Sequence, residues 1–113
     1  MKKDPIVFLK HILECINLIE EYARSLSKED FKGNIKLQDA IIRRLEIIGE
    51  AARNLPDEFK HHYSGVQWRQ IVAARNILAH FYFGIDLNTI WNIVKNDLPQ
   101  LKEQVESMLE DNR

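Results

Sequence analysis

The chain has 113 residues, 45% of them hydrophobic and 29% charged, which is ordinary for a globular protein and enough for one modest core. Its formal net charge of -1 denies it the basic excess with which proteins grip long nucleic acid, so any such role must come from a small local site. Cys15 is the only cysteine, which excludes an intrachain disulfide and a cysteine-rich metal site.

Met1-Lys2-Lys3-Asp4-Pro5 is followed by too short an apolar run for a signal peptide before Lys10 and His11 intervene. No stretch approaches the roughly 20 apolar residues that span a bilayer. The chain reads as cytoplasmic, with no membrane role, and as a single domain over residues 1–113.

Asp4-Pro5 opens a first helix, Asp as N-cap and Pro at the first helical position. Leu9, Ile12, Ile16, Ile19, Ala23 and Leu26 then recur at steps of three and four, an apolar stripe. Cys15 falls among these residues and reads as a buried, unreactive thiol with no cation beside it in sequence. Ser27-Lys28-Glu29-Asp30 is a second N-cap signal, starting a short helix through Phe31 that Gly33-Asn34 stops.

The next helix runs from about Ile35 to Leu55, with Leu37, Ile41, Leu45, Ile48, Ala52 and Leu55 on its buried side. Gly49 lies inside it, at a cost of about 1 kcal/mol relative to alanine, which close approach of a neighbouring helix would offset. Arg43, Glu46, Glu50 and Arg53 stand three or four apart, the spacing of a surface ion-pair ladder. The alternative is that Glu50, flanked by Gly49 and Ala51, turns inward as an orienting residue for the cluster further on.

Pro56-Asp57-Glu58-Phe59 suits another short helix, ending around Tyr63-Ser64-Gly65. His61 and His62 are adjacent, share no helix face and have no third ligand at metal spacing, so they read as solvent-exposed. A helix from about Val66-Gln67-Trp68 to just before Gly84 draws apolar contacts from Trp68, Ile71, Val72 and Leu78, with Ala73, Ala74 and Ala79 permitting close packing. Asp86 caps a final long helix, kinked or restarted near Asn96-Asp97 because Pro99 lies inside it. The tail from Glu110 to Arg113 is expected to fray. No segment alternates with period two, so the fold is expected to be all-α: an antiparallel helical bundle of four to five main helices plus short helical turns.

The chemistry concentrates in Arg75-Asn76-Ile77-Leu78-Ala79-His80-Phe81-Tyr82. Arginine offers a planar donor fork matched to phosphate oxygens, and histidine can pass protons to and from ester oxygens near neutral pH. Asn76 can donate to a phosphoryl oxygen or fix the imidazole. Paired carboxylates suited to a two-metal site are lacking, so the residues fit a metal-free, cofactor-free cleavage through a 2′,3′-cyclic phosphate. On a regular helix, with Arg75 at zero, Asn76 lies near 100°, His80 near 140° and Tyr82 near -20°, at about 100° per residue. That arc is too wide to focus on one atom unless the helix loosens after Ala79 or a second copy contributes. Equally, an Arg, Asn, His and Tyr at a helix end are often capping and hydrogen-bonding groups alone.

Arginine, four residues, histidine, one residue, tyrosine resembles the signature of HEPN (higher eukaryote and prokaryote nucleotide-binding) domain proteins, and within them the HepT-like toxin subgroup. The likeness extends to residues 41–52, to Trp68-Arg69-Gln70-Ile71 and to Phe83-Gly84-Ile85-Asp86. Phe81 departs from the acidic or polar residue usual between the histidine and tyrosine. The resemblance implies a HEPN-like bundle and a homodimer whose motif helices meet in a cleft. It implies a toxin of a prokaryotic toxin–antitoxin pair, acting on RNA as a metal-independent endoribonuclease. Arg75 and His80 would be catalytic and Asn76 supporting. An MntA-like minimal nucleotidyltransferase, the antitoxin partner, would add AMP to Tyr82 and block the site. Two other readings stay open: a nucleotide-binding subunit of a nucleotidyltransferase complex without nuclease activity, and a bare helical dimerisation module.

Overall fold

The computed structural model describes residues 4–80 and 86–113, with residues 79 and 80 followed in backbone only. Every regular element among them is helical: α1 (Pro5–Ala23), α2 (Lys28–Lys32), α3 (Ile35–Asn54), α4 (Asp57–His62), α5 (Trp68–His80), α6 (Leu87–Asn92), a π-helical turn (Ile93–Asp97) and α7 (Leu98–Asp111). The expected all-α bundle is present. None of these helices is long and apolar enough to cross a membrane.

The caps explain where the helices begin. The Asp4 carboxylate accepts from the Ile6 amide at 3.0 Å, with Pro5 in the first turn where its missing N–H costs nothing. Ser27 and Asp30 form a capping box: the Ser27 hydroxyl accepts from the Asp30 amide at 3.1 Å, and the Asp30 carboxylate accepts from the Ser27 amide at 3.0 Å. Asn34 does the same for α3, accepting from the Leu37 amide at 3.0 Å. Helix α1 stops earlier than its apolar stripe suggests. Ser25 adopts a left-handed conformation with φ 62°, a helix-ending geometry usually taken by glycine, so Leu26 lies beyond the helix and only half-buried.

The core is one contiguous cluster. Helix α1 contributes Leu9, Ile12, Cys15, Ile16, Ile19 and Ala23. Helix α3 is buried on a wider arc, with Ile41, Leu45, Ile48, Gly49, Ala51 and Ala52 enclosed, because it packs against α1 on one side and α5 on the other. Leu37, near its start, is only half-buried. Phe31 of α2 is fully buried and stacks on Trp91 of α6 with ring centroids 5.2 Å apart, fastening the α2 turn to the C-terminal helices. Burying such a side chain contributes on the order of 1.5–3 kcal/mol.

The break expected around Pro99 takes a specific form. The Leu98 amide reaches back five residues to the Ile93 carbonyl, and the chain passes through a π-helical turn before α7 begins. Proline has no amide hydrogen and its ring crowds the carbonyl four residues back, so the wider turn accommodates Pro99 without ending the rod. The chain end differs from expectation. Helix α7 runs to Asp111, and the Asn112 side chain donates to the Tyr63 hydroxyl at 3.1 Å and to the Met108 carbonyl at 2.7 Å. The Tyr63 hydroxyl in turn donates to Asp111 at 3.2 Å. Tyr63 thus ties the end of α4 to the end of α7, and its carbonyl also accepts from the Trp68 indole at 3.0 Å.

Cys15 is buried, and burial pushes its thiol above the ordinary range. Arg44 of α3 faces it and opposes that shift without reversing it. A cation therefore does stand by Cys15, brought across the α1–α3 contact rather than along the sequence.

Candidate active site

Helix α5 presents two faces. Ile71, Ala74, Arg75 and Leu78 are buried or half-buried, whereas Arg69, Gln70, Ala73, Asn76 and Ile77 are exposed. Ala73, expected to permit close packing, is exposed and points away from α3. The close approach occurs on the opposite face, where Gly49 supplies it. A Cβ on Gly49 would collide with the Arg75 Cβ, would lie 2.9 Å from the Arg75 Cγ and would lie 3.2 Å from the Ile71 carbonyl oxygen. The glycine in mid-helix is therefore the condition for α5 to lie where it does, and it meets the very residue that carries the guanidinium.

The next residue on α3 completes the contact. Glu50 Oε2 lies 3.2 Å from Arg75 Nη2, across the α3–α5 interface. Glu50 is itself held from behind: the Asn54 side-chain amide donates to the Glu50 carbonyl at 2.9 Å and to its Oε1 at 3.3 Å. The Glu50 side chain as a whole is 47% exposed, yet its Oε2 is buried and makes no aligned hydrogen bond. The contact with Arg75 is thus one of charge. A pair this open to solvent contributes only about 0–1 kcal/mol to stability. Its effect is positional.

The surface ladder does not include Glu50. Arg43 and Glu46 pair at 3.6 Å along α3, and there the ladder stops. Asn54, four residues after Glu50, is a member of the site that the sequence reading missed. Its signal was the same four-residue spacing that was read for the charges.

On the other side of the guanidinium, Arg75 Nη1 donates to the Asn76 Oδ1 at 3.1 Å. Adjacent residues on a helix diverge by about 100°, and the length of the arginine side chain is what closes that gap. The guanidinium is stretched between Glu50 on α3 and Asn76 on the outer face of α5. Among the described residues, two of its five N–H donors face protein partners. With Asn76 Oδ1 engaged, the amide's Nδ2 is the end left to donate.

His80 is the last described residue of α5, four positions after Asn76 and so in the same helical register. Its ring lies outside the described residues, as do Phe81, Tyr82 and the expected helix end before Gly84. The structure therefore brings together Glu50, Asn54, Arg75 and Asn76, and places the backbone of His80 beside them in register. His61 and His62 are both exposed, with the His62 ring edge-on to Tyr63. No group of three His, Cys, Asp or Glu residues among the described ones is arranged to hold a metal ion.

Residues 12–108 match the family described as Ribonuclease HepT-like. The chain is 48% identical over 98% of its length to a Methanocaldococcus jannaschii protein named "Gamma-glutamylcyclotransferase and putative RNase MJ0434", of which it spans half. It is 44% identical over 96% of its length to the "Probable ribonuclease HepT" of Thermococcus cleftensis, and here it covers 98% of the relative. A third relative, the "Putative RNase MJ1380" of M. jannaschii, is 43% identical, with 93% of this chain and 96% of that protein aligned. No solved structure matches this chain. The expected resemblance holds over nearly the whole chain, which belongs to the Ribonuclease HepT-like family.

Proposed function

We propose that this chain is a metal-independent endoribonuclease and the toxin of a toxin–antitoxin pair. The observation that carries the reading is the guanidinium of Arg75, held between Glu50 and Asn76 on the helix that carries His80. Membership in a family named for a ribonuclease gives this arrangement its substrate.

The roles follow from the donors that no described residue engages. Arg75 clamps the non-bridging oxygens of the scissile phosphate, and the Asn76 Nδ2 donates to one of them or to the histidine ring. His80 removes the proton from the ribose 2′-hydroxyl as that oxygen bonds to phosphorus. The bond from phosphorus to the 5′-oxygen breaks, and a proton from imidazolium goes to the departing oxygen. The products are a 2′,3′-cyclic phosphate and a 5′-hydroxyl. Arg75 stabilises the negative charge that builds on the phosphoryl oxygens between these states.

Two further parts of the proposal concern assembly. A homodimer that brings two α5 helices together would place both copies' residues around one cleft. An MntA-like nucleotidyltransferase adding AMP to Tyr82, two residues beyond His80, would put an anionic group within reach of Arg75 and silence the site.

The test is cleavage of single-stranded RNA by the purified chain in the presence of a chelator, with the ends identified chemically. Cyclic phosphate ends, lost in both Arg75→Ala and His80→Ala while each variant keeps its fold, are expected. Undiminished cleavage by His80→Ala would overturn the assignment. Co-expression with the nucleotidyltransferase should add AMP mass to the wild type and none to Tyr82→Phe; an unmodified wild type would remove that part of the proposal.

A further inference from the structure

Beside the site, a groove runs along the junction of α4 and α5, and the side chains around it include Lys60 and His61 from α4 and Arg69 and Asn76 from α5. Arg69, Ala73 and Asn76 stand at the spacing i, i+4, i+7, so they form one stripe on the outer face of α5. Ala73, in the middle, is exposed and ends at its Cβ, which leaves the floor between Arg69 and Asn76 open. Asn76 belongs both to this groove and to the cluster around Arg75.

Arg69 is the most available charge in the groove. Arg69 makes no ion pair among the described residues. Lys60 faces Asp57 at 3.7 Å; its own side chain is only 18% exposed, while the Asp57 side chain is 93% exposed and can give way to another anion. Among the described residues, Asp57 is the only carboxylate lining the groove, against two fixed cations and a histidine. In a chain of net charge -1 this is the kind of small local site that an RNA-binding role requires.

Distance sets what the groove can hold. Seven residues of helix separate Arg69 from Asn76 by about 10 Å along the axis. That is too far for Arg69 to touch a phosphate bound at Asn76. It corresponds to roughly three stacked nucleotide steps of about 3.4 Å, or fewer if the strand is stretched.

We propose that this groove is a phosphate-binding track for the RNA strand flanking the cleaved bond, with Arg69 gripping a phosphate a few nucleotides from the scissile one and Lys60 gripping a second. The inference rests on the ribonuclease reading above and extends it from the chemical site to the path of the substrate. Arg69 and Lys60 position the strand without taking part in the chemistry. Because they bind phosphate, they add affinity that is independent of base sequence and falls with salt.

The experiment uses the full chain and a labelled single-stranded RNA of mixed sequence. Affinity is read by fluorescence anisotropy on a His80→Ala background, and cleavage kinetics on the unaltered one. Arg69→Gln is expected to weaken binding about tenfold, to raise KM rather than lower kcat, and to reduce the slope of log affinity against log salt by about 0.7. Lys60→Gln should do the same to a similar extent, the effect of both should shrink as the RNA is shortened, and Arg69→Lys should restore most of the salt dependence. Unchanged affinity and salt slope in Arg69→Gln and Lys60→Gln would overturn the track. So would a loss in kcat alone, or dissociation of an oligomer on substitution, which would make the groove a contact between copies. A wild-type chain that binds RNA through these residues but never cleaves it would sink the ribonuclease reading and leave the track standing. A folded chain that binds no RNA would sink both.

Discussion

Gly49 of α3 lies directly against the side-chain stem of Arg75 on α5, with no room between them for a Cβ. Helix packing and the placement of the guanidinium are therefore one event. The backbone of α3 comes close enough to bury Ile48 and Ala52, and in doing so it sets Glu50 against Arg75 Nη2 at 3.2 Å. Residues that fold the bundle and residues that aim the arginine alternate along a single turn of helix.

Gly49→Ala should consequently damage both. The added methyl group meets Arg75 and the Ile71 carbonyl, and forcing such contact into a packed interface costs about 1–3 kcal/mol. Thermal unfolding should fall by several degrees per kcal/mol for a domain of this size. RNA cleavage by the fraction that remains folded should fall further than the stability loss accounts for, since Arg75 must shift. A variant that melts like the wild type would contradict the close approach.

Much of this arrangement is readable along the chain. Asp4-Pro5, Ser27 with Asp30, and Asp86 mark helix starts because capping depends on residues within one turn of each other. The expected break at Pro99 follows from proline's missing donor alone. Gly49 carries its own signal, since glycine in mid-helix asks for a compensating neighbour. What could not be read is which face of α5 meets that neighbour. Ala73 and Ala74 are equivalent by type, yet only packing leaves Ala73 in solvent. The reach of Arg75 to Asn76 is likewise hidden, because side-chain length overrides the 100° that a helical projection assigns them. Ser25 ended α1 early with a left-handed residue that composition does not announce.

Glu50 should matter to activity far more than to folding. Its side chain is 47% exposed although Oε2 is covered, so Glu50→Ala should change stability by no more than about 1 kcal/mol. Without the carboxylate, Asn76 is the guanidinium's one remaining partner among the described residues, and a misplaced phosphate clamp costs on the order of 10- to 100-fold in rate. Glu50→Gln keeps the shape and the contact with Asn54 while removing the charge, and should fall between. Chemical denaturation and single-turnover cleavage of RNA, measured side by side, separate the two effects. Equal losses in both would make Glu50 a structural residue only.

Two capping carboxylates should give the fold an acid limb. Asp30 is held below the ordinary carboxylate range by hydrogen bonds from the Ser27 amide and hydroxyl, and Asp86 by the Asn88 amide and the Thr89 hydroxyl. A depressed folded-state pKa means that the unfolded chain binds the proton more readily than the folded one. The stabilisation is therefore complete above the ordinary value near 3.8 and is lost as pH falls below it, through the folded-state values. Asparagine caps helices about as well as aspartate but cannot titrate. Asp30→Asn with Asp86→Asn should unfold normally at neutral pH and show a shallower loss of stability below pH 4. Melting curves recorded across that window test it, and an unchanged acid limb would assign the loss to other carboxylates.

Asn76 offers the sharpest distinction between a supporting contact and a substrate contact. Its Oδ1 accepts from Arg75 Nη1 at 3.1 Å, and its Nδ2 is the donor left for a phosphoryl oxygen or the histidine. Asn76→Asp retains an acceptor for Arg75, strengthened by charge, but removes the outward donors and sets a negative group where phosphate must bind. Asn76→Ala removes both contacts without adding repulsion. If Asn76 only holds Arg75, the aspartate variant should outperform the alanine one. If it faces the substrate, as its exposed position on α5 and its place at the mouth of the groove imply, aspartate should be the worse by about tenfold or more. Single-turnover cleavage of the same RNA by the two variants decides between these orders. The gap should narrow as salt is raised, because the added repulsion between carboxylate and phosphate is screened while the lost hydrogen bond is not.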